Sequence, residues 1–491
     1  MCIENAAAII AENKTDIDRI GTFSLCLKAA KNDNPMVWYF VGYMQLNSVG
    51  AKANLDEGIR WLTKAGESGI ASAQYELAEY YLTGGGVKQK IDMEKAIYWL
   101  SKLATNKNSQ RRVDAAFRLC SIYLFGTNIE PDYDRAFTWC RISGIEHHNF
   151  DGLTNLALLY INGWGVPRNV PLAMDYYQTA ARNNVTGAML SLGRAYSIGQ
   201  DVPVDYALAF QWISRAAEQK SPEGLYYLAQ MYEYGQGTEQ DENKSKEYYT
   251  MAAKLGESRA QYALGRIYQY SGSPNIDLAA KWYHKAAAQG NTDAMTAIGD
   301  LYRNQNQREM MRWYTAAAEH GSQDGMLRCI PYLLKGSRDI RKNPELALKY
   351  AKQLTAEGNS SGMYWLGMIY LNGYAGDTDP KAAHNLLSAS AREGNADAEL
   401  ELGRGLFSGA FGFRDEENGV KHLSAAAENG CVNDACLELA RYYAGKDDYQ
   451  SAYVWLENLQ NSITPENRDE YDRLLRLTVQ KLSERKTDHP K

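Results

Sequence analysis

Long apolar runs are missing from this chain. No stretch approaches the ~18 consecutive apolar residues that cross a bilayer, so no membrane insertion is expected. The first residues, Met1-Cys2-Ile3-Glu4-Asn5, lack a basic n-region, and the apolar run at 6–11 is too short for a secretion signal. As it stands the sequence points to the cytoplasm, although a mature chain with its signal removed would read the same. Cysteine is sparse: Cys2, Cys26, Cys120, Cys140, Cys329, Cys431 and Cys436, an odd number with no C-x-x-C. That excludes a disulfide framework or a thiolate metal site as the organising feature and fits a reducing compartment. Cys120 and Cys140 fall on successive helices of one unit, within reach of a bond, but two small buried thiols are the expected state. An excess of one charge is also absent. Fifty-three Lys and Arg face 59 Asp and Glu, a formal net charge of -6, so nothing argues for nucleic acid. Seven scattered histidines offer no convergent group for acid–base or metal chemistry. Phenylalanine is scarce as well, 10 against 35 tyrosines. An aromatic ring with a polar tip suits half-exposed helix faces and contact surfaces.

What the sequence has is repetition. Ala71-Ser72-Ala73-Gln74-Tyr75-Glu76-Leu77-Ala78, then a glycine turn, then Ala96-Ile97-Tyr98-Trp99 has the same skeleton as Arg259-Ala260-Gln261-Tyr262-Ala263-Leu264-Gly265 followed by Ala279-Ala280-Lys281-Trp282-Tyr283. A small residue opens the first helix at Val37, Ala73, Ala115, Gly152, Ala188, Gly224, Ala260, Ala294, Gly325, Gly362, Ala398 and Ala435, mostly 36 or 37 residues apart. About twelve units result. A fixed period of this length marks a helical solenoid, in which each unit packs only on its neighbours, so the chain escapes the size limit of a single core. Within a unit, Leu and then Gly or Ala follow four residues on, as at Leu192-Gly193 and Leu402-Gly403. These positions share one helical face, and the small residue is where a second helix comes close.

Glycine-rich turns such as Gly163-Trp164-Gly165 and Gly235-Gln236-Gly237 stop the first helix in a left-handed conformation. The second helix carries an aromatic pair and then two alanines, as in Trp313-Tyr314 with Ala317-Ala318. The unit from Ala73 is 42 residues long, with extra residues at 106–112, and the unit from Ala294 is only 31 long and lacks its glycine turn at 304–307. The ends differ from the middle. Residues 1–34 read as an N-terminal cap or half repeat containing an orphan second helix at 23–30. Residues 35–460 are the repeat array, and 461–491 form a capping helix on Tyr471, Leu474, Leu475, Thr478 and Leu482 with a disordered tail from Lys486.

The skeleton A-x-x-x-L-G-x-x-Y-x-x-G-x-G-V, with a later A-x-x-W-Y-x-x-A-A-x-x-G, resembles the Sel1-like repeat, a relative of the tetratricopeptide repeat. The likeness spans roughly residues 35–460. The first unit departs from it with Gln45 in place of the helix tyrosine, and the unit from Gly325 has Cys329-Ile330 for Leu-Gly. The resemblance implies an all-α fold, a right-handed superhelix whose first helices line a concave groove for a protein or peptide. It also implies adaptor roles in signalling or envelope processes, or an immunity role against toxic effectors. The family shares no catalytic residues, so no catalytic, metal or cofactor site is carried over.

Motifs that mimic active sites have structural explanations. Gly358-Asn359-Ser360-Ser361-Gly362 matches G-x-S-x-G but follows a helix, whereas a nucleophile elbow follows a strand. The G-x-G strings lack the strand and the Lys-Ser/Thr of a phosphate loop. His147-His148 point apart and have no second ligand group nearby. A more informative stripe lies three and six residues after each unit's opening small residue. It reads Glu76/Glu79, Arg118/Ser121, Ser191/Arg194, Tyr227/Gln230, Ala263/Arg266, Trp365/Met368, Glu401/Arg404 and Glu438/Arg441 in successive or later units. Core positions agree between units and these do not, so the stripe is free to be written for a partner. Tyr, Trp and Arg are common interface anchors. The expected groove residues are Tyr227, Tyr234, Tyr270, Trp365 and Met368 as apolar anchors, with Arg194, Arg266, Arg404 and Arg441 meeting acidic groups. The reading is a non-enzymatic, monomeric scaffold. An enzyme with its site in the groove is the competing class, and it lacks the convergent side chains such a site needs.

Overall fold

In the computed structural model, described over residues 1–11, 18–85, 90–460 and 462–487, every regular element is a helix. Two compact units, Met1–Leu255 and Gly256–Lys491, are distinguished. In the first, α1 (Cys2–Ile10) and α2 (Arg19–Ala29) precede six hairpins. These are α3 and α4 (Pro35–Leu46, Leu55–Glu67), α5 and α6 (Ala71–Thr83, Met93–Thr105), α7 and α8 (Arg112–Phe125, Tyr133–Arg141), α9 and α10 (Phe150–Asn162, Val170–Arg182), α11 and α12 (Thr186–Ile198, Tyr206–Glu218), and α13 and α14 (Pro222–Tyr234, Glu242–Lys254). The second has six more: α15 and α16 (Ser258–Tyr270, Ile276–Ala287), α17 and α18 (Thr292–Tyr302, Gln307–Glu319), α19 and α20 (Gln323–Lys335, Pro344–Ala356), α21 and α22 (Ser360–Asn372, Pro380–Arg392), α23 and α24 (Ala396–Ser408, Glu416–Glu428), and α25 and α26 (Val432–Gly445, Tyr449–Leu459), followed by α27 (Arg468–Thr487).

In most hairpins the close approach is enforced by a small residue five after the one that opens the first helix. A methyl group on Gly367 would come within 2.9 Å of Leu387, one on Gly42 within 2.8 Å of Leu62, and one on Gly265 would overlap the Tyr283 ring. A large side chain of the second helix, Leu387, Leu62 or the Tyr283 ring in these three hairpins, therefore lies over a gap in the first. Each second helix begins on an Asp or Asn whose side chain accepts a backbone N–H of its first turn, from Asn54 through Asp205 and Asn306 to Asp448. Such caps contribute about 1 kcal/mol each. In the first unit the G-x-G turns do two jobs. Gly163 and Gly235 end their helices with φ of 70° and 66°. Gly165 and Gly237 also have positive φ, and any side chain there would strike the carbonyls of Tyr133 and Tyr206 at the start of the preceding hairpin's second helix.

The expectation of free thiols is corrected. Cys120 is bonded to Cys140 and Cys2 to Cys26, with Cα–Cα distances of 4.7 and 5.2 Å. Cys120 occupies the close-approach position that Gly or Ala fills elsewhere, and Cys140 stands opposite it on α8, as Ile213 stands opposite Gly193. The packing that demands a small residue thus brings two sulfurs together. The first bond also changes the reading of the N-terminus: α2 is no orphan, because α1 packs on it and is bonded to it. Cys329, Cys431 and Cys436 are free, and burial pushes the Cys329 thiol up to about 12.

At the other end α27 lays Tyr471 and Leu474 against Leu437, Ala440 and Leu456. It remains helical through Thr487, so the disorder expected from Lys486 is corrected for 486–487, and 488–491 lie outside the described residues. Gly86 and Val87, part of the glycine turn expected between Ala78 and Ala96, are likewise outside them. In the short unit the turn is only the four residues 303–306, and Asn306 caps α18 as in the other hairpins, accepting from the N–H groups of Arg308 and Glu309 at 3.2 Å.

Candidate partner-binding surface

The stripe on the first helices divides into two kinds of position. At several junctions it is an inter-hairpin ladder: the residue six after one unit's small residue meets the residue three after the next one's. Glu79 on α5 accepts from Arg118 on α7. Asn155 on α9 donates to Ser121 on α7 at 3.4 Å. In the second unit Asp300 on α17 pairs with Arg328 on α19 at 2.7 Å, and Arg404 on α23 with Glu438 on α25 at 3.2 Å. Arg441 on α25 completes the series by pairing with Glu470 on α27. The variation between units that marks this stripe is therefore partly complementarity between neighbours.

This changes the standing of two expected anchors. Arg404 is held by Glu401 at 2.9 Å as well as Glu438, and Arg441 by Glu438 at 2.7 Å as well as Glu470. Both guanidinium groups already have carboxylates of their own chain. Arg194 on α11 and Arg266 on α15 are exposed. Arg194 lies near Tyr177, whose hydroxyl burial pushes up to about 12 while a hydrogen bond from Ser191 and the charge of Arg194 act in the opposite sense.

The aromatic anchors also separate. Tyr227 on α13 is half-buried and packs on the cluster around Ala188 and Leu192. Trp365 on α21 is half-buried on the cluster that includes Ile330 and Leu333, edge-on to Tyr364 at 5.2 Å. Met368 packs on the cluster of Leu387 and Leu402. By contrast Tyr234, the last residue of α13, is 58% exposed, and Tyr270, the last of α15, is 75% exposed. Tyr270 and Arg266 are four residues apart, on one face of α15. Glu76 on α5 is a further half-buried group of the stripe; burial raises its carboxyl, and Arg111 opposes that rise.

The mimics of active sites behave as turns. Asn359 of the G-x-S-x-G string caps α21 by accepting from the N–H of Gly362 at 2.9 Å. His147 is half-buried, and burial followed by the Arg112 charge lowers its pKa. Among the described residues no three His, Cys, Asp or Glu side chains gather as metal ligands. No described helix is long and apolar enough to cross a membrane.

Known proteins give the same picture of the repeat. A structure of a protective antigen from uropathogenic Escherichia coli, described as having an SLR fold, matches 94% of this chain and 94% of its own at 24% identity, with a TM-score of 0.50. A Sel1 repeat protein from Oxalobacter formigenes matches 64% of this chain and 93% of its own at 24% identity, with a TM-score of 0.51. Chitin synthase regulatory factor 3 of Schizosaccharomyces pombe is 29% identical over 127 residues, 24% of this chain. Protein sel-1 homolog 2 of Mus musculus is 28% identical over 98 residues, 20% of this chain. The matched segment is 14% of each of these two relatives. The Sel1 repeat profile fits eleven segments, from 39–70 to 396–431, leaving the hairpin of α25 and α26 outside although it is built like the others. With the fit running through most of the chain, and the leucine–glycine approach and aromatic second helix recurring in three dimensions, the chain belongs to the Sel1 repeat family.

Proposed function

We propose that this chain is a non-enzymatic scaffold that binds a protein or peptide along the exposed face of its first helices. The observation that carries the reading is the pair Arg266 and Tyr270 on α15, a large ring three-quarters exposed beside an exposed guanidinium. A ring and an arginine offered together are typical of interface anchors. Tyr234 in the first unit offers a second such ring, and Arg194 a second exposed charge. Tyr227, Trp365 and Met368 contribute their outer edges, while Arg404 and Arg441 act chiefly within the chain.

Two roles fit this surface. In one the chain is an immunity protein that grips a toxic effector, and in the other a regulatory adaptor that joins several proteins. The compartment is part of the proposal: two disulfides fit an oxidising compartment better than the cytoplasm. A photo-crosslinking residue at position 270, compared with one at the exposed Lys281 on α16, tests the reading in the native host. Crosslinks at 270 to a single tightly held protein support the immunity role, and crosslinks to several support the adaptor. Equal crosslinking at both positions, or none at 270, overturns the surface.

A further inference from the structure

Departures from the repeat pattern concentrate in one place. The unit from Ala294 has lost its glycine turn, Pro331 stands inside α19, and the turn after α19, at 336–343, has eight residues where seven is the commonest length. Residues 303–352 carry ten Lys and Arg against five Asp and Glu, net positive in a chain whose net charge is -6. The loop is built rather than loose. Ser337 accepts at its hydroxyl from the Asp339 N–H at 3.3 Å and donates from it to Gln307 at 2.8 Å, and its own N–H meets the Ile340 carbonyl at 2.9 Å. Ile340 is buried and pins the loop to the core, and Asn343 donates its N–H to the Leu333 carbonyl at 2.9 Å.

Between this loop and α18 lies a cleft of about 790 Å³. Its floor is apolar, from Met311, Leu333 and Ile340, and its walls carry Arg308 and Arg312 on one side and Arg341 and Lys342 on the other. A second cavity of about 500 Å³ continues it past Arg308 and Asp339 to the amides of 304–307. Arg308 reaches Asp339 at 3.5 Å and Arg312 reaches Glu309 at 3.6 Å. Among the described residues, Arg338, Arg341 and Lys342 have no carboxylate within ion-pair distance.

We propose that this cleft, on the side of the second helices and distinct from the first-helix surface, binds an acidic peptide segment of a partner protein. Spaced carboxylates match the arginines and lysine of the walls, an apolar side chain matches the floor, and peptide groups match the amides of 304–307. The interspersed Glu319, Asp339 and Glu345 in the lining disfavour the unbroken charge of a polyphosphate and favour a ligand whose charges are interrupted.

The test is fluorescence anisotropy of the intact protein with a fluorescein-labelled ten-residue peptide of alternating glutamate and leucine, and with its glutamine counterpart. The glutamate peptide is expected to bind at least about tenfold more tightly, and the preference to shrink as salt rises. Arg312→Glu with Lys342→Glu is expected to abolish that preference, whereas Lys381→Glu, an exposed charge on α22, leaves it intact. Arg312→Gln with Lys342→Gln gives the same comparison without charge reversal, and the melting curve of each variant establishes folding. Equal affinity for the two peptides overturns the proposal. So does a preference that survives both double variants, or a preference for heparin or single-stranded DNA over the glutamate peptide.

Discussion

Gly265 has no space for a side chain, because the Tyr283 ring occupies the volume a methyl group would need. Gly265→Leu is expected to lower stability by about 1–3 kcal/mol or more through overpacking of α15 on α16. An unchanged thermal midpoint would contradict the pairing of these two helices. Exposed rings behave differently. Tyr270→Ala removes little packing, so its effect on stability is expected within about 0.5 kcal/mol. Its effect on partner affinity is expected near about 2 kcal/mol, the scale of an interface anchor, read by calorimetry or anisotropy once the partner is in hand. Tyr227→Ala and Trp365→Ala lack that separation, since both rings pack on neighbouring cores and lose stability when cut back. The sequence grouped Tyr227, Tyr270 and Trp365 together as groove anchors. It did not distinguish a ring at the end of a helix, beyond the reach of the next hairpin, from one three positions past the small residue, where that hairpin covers it.

Between elements, the ladder and the disulfides set the terms. The Glu79 and Arg118 pair joins α5 to α7, and a double-mutant cycle with glutamine at 79 and methionine at 118 is expected to give a coupling of about 0.2–1 kcal/mol that falls with added salt. A coupling of zero would make the contact incidental. The Cys120–Cys140 bond spans 20 residues, and removing it as a serine pair is expected to cost about 2–4 kcal/mol. Thiol titration of the denatured, unreduced chain is expected to find three reactive groups, Cys329, Cys431 and Cys436, and all seven cysteines after reduction. Seven groups before reduction would refute both bonds. Much at this scale was readable in advance. The period, the Leu-Gly face and the aromatic pairs located the hairpins because they recur for packing reasons. The bond at 120 was readable too: its separation of 20 equals that of Gly193 and Ile213, a facing pair in another unit. Counting cysteines by parity hid this, because two bonds and three free thiols add up to an odd number. The basic cleft near 308–342 was harder to see. Its charges come from a helix and a loop some thirty residues apart, and only the loss of a glycine turn signalled that the pattern changed there.

At the scale of the molecule, stability is expected to be distributed. Hairpins contact mainly their neighbours, so unfolding should proceed in more than one step, read as a mismatch between calorimetric and van't Hoff enthalpies. Deleting 464–491 uncovers Leu437, Ala440 and Leu456, and α25 and α26 are then expected to lose hydrogen-exchange protection first. Full protection of 435–460 in a monomeric truncated chain would show that α27 has no capping role. The ladder bears on how such a chain grows. A unit copied in tandem keeps its rung only if its trailing side chain suits its own leading one. The unit with Glu401 and Arg404, and the next with Glu438 and Arg441, satisfy this: either could follow itself and keep an opposite-charge contact at the new seam. The unit with Glu76 and Glu79 could not, because its duplicate would set two carboxylates face to face. The rungs therefore bias inheritance: some segments of the gene multiply with every seam contact kept, and others do so at a loss of about 0.2–1 kcal/mol per seam.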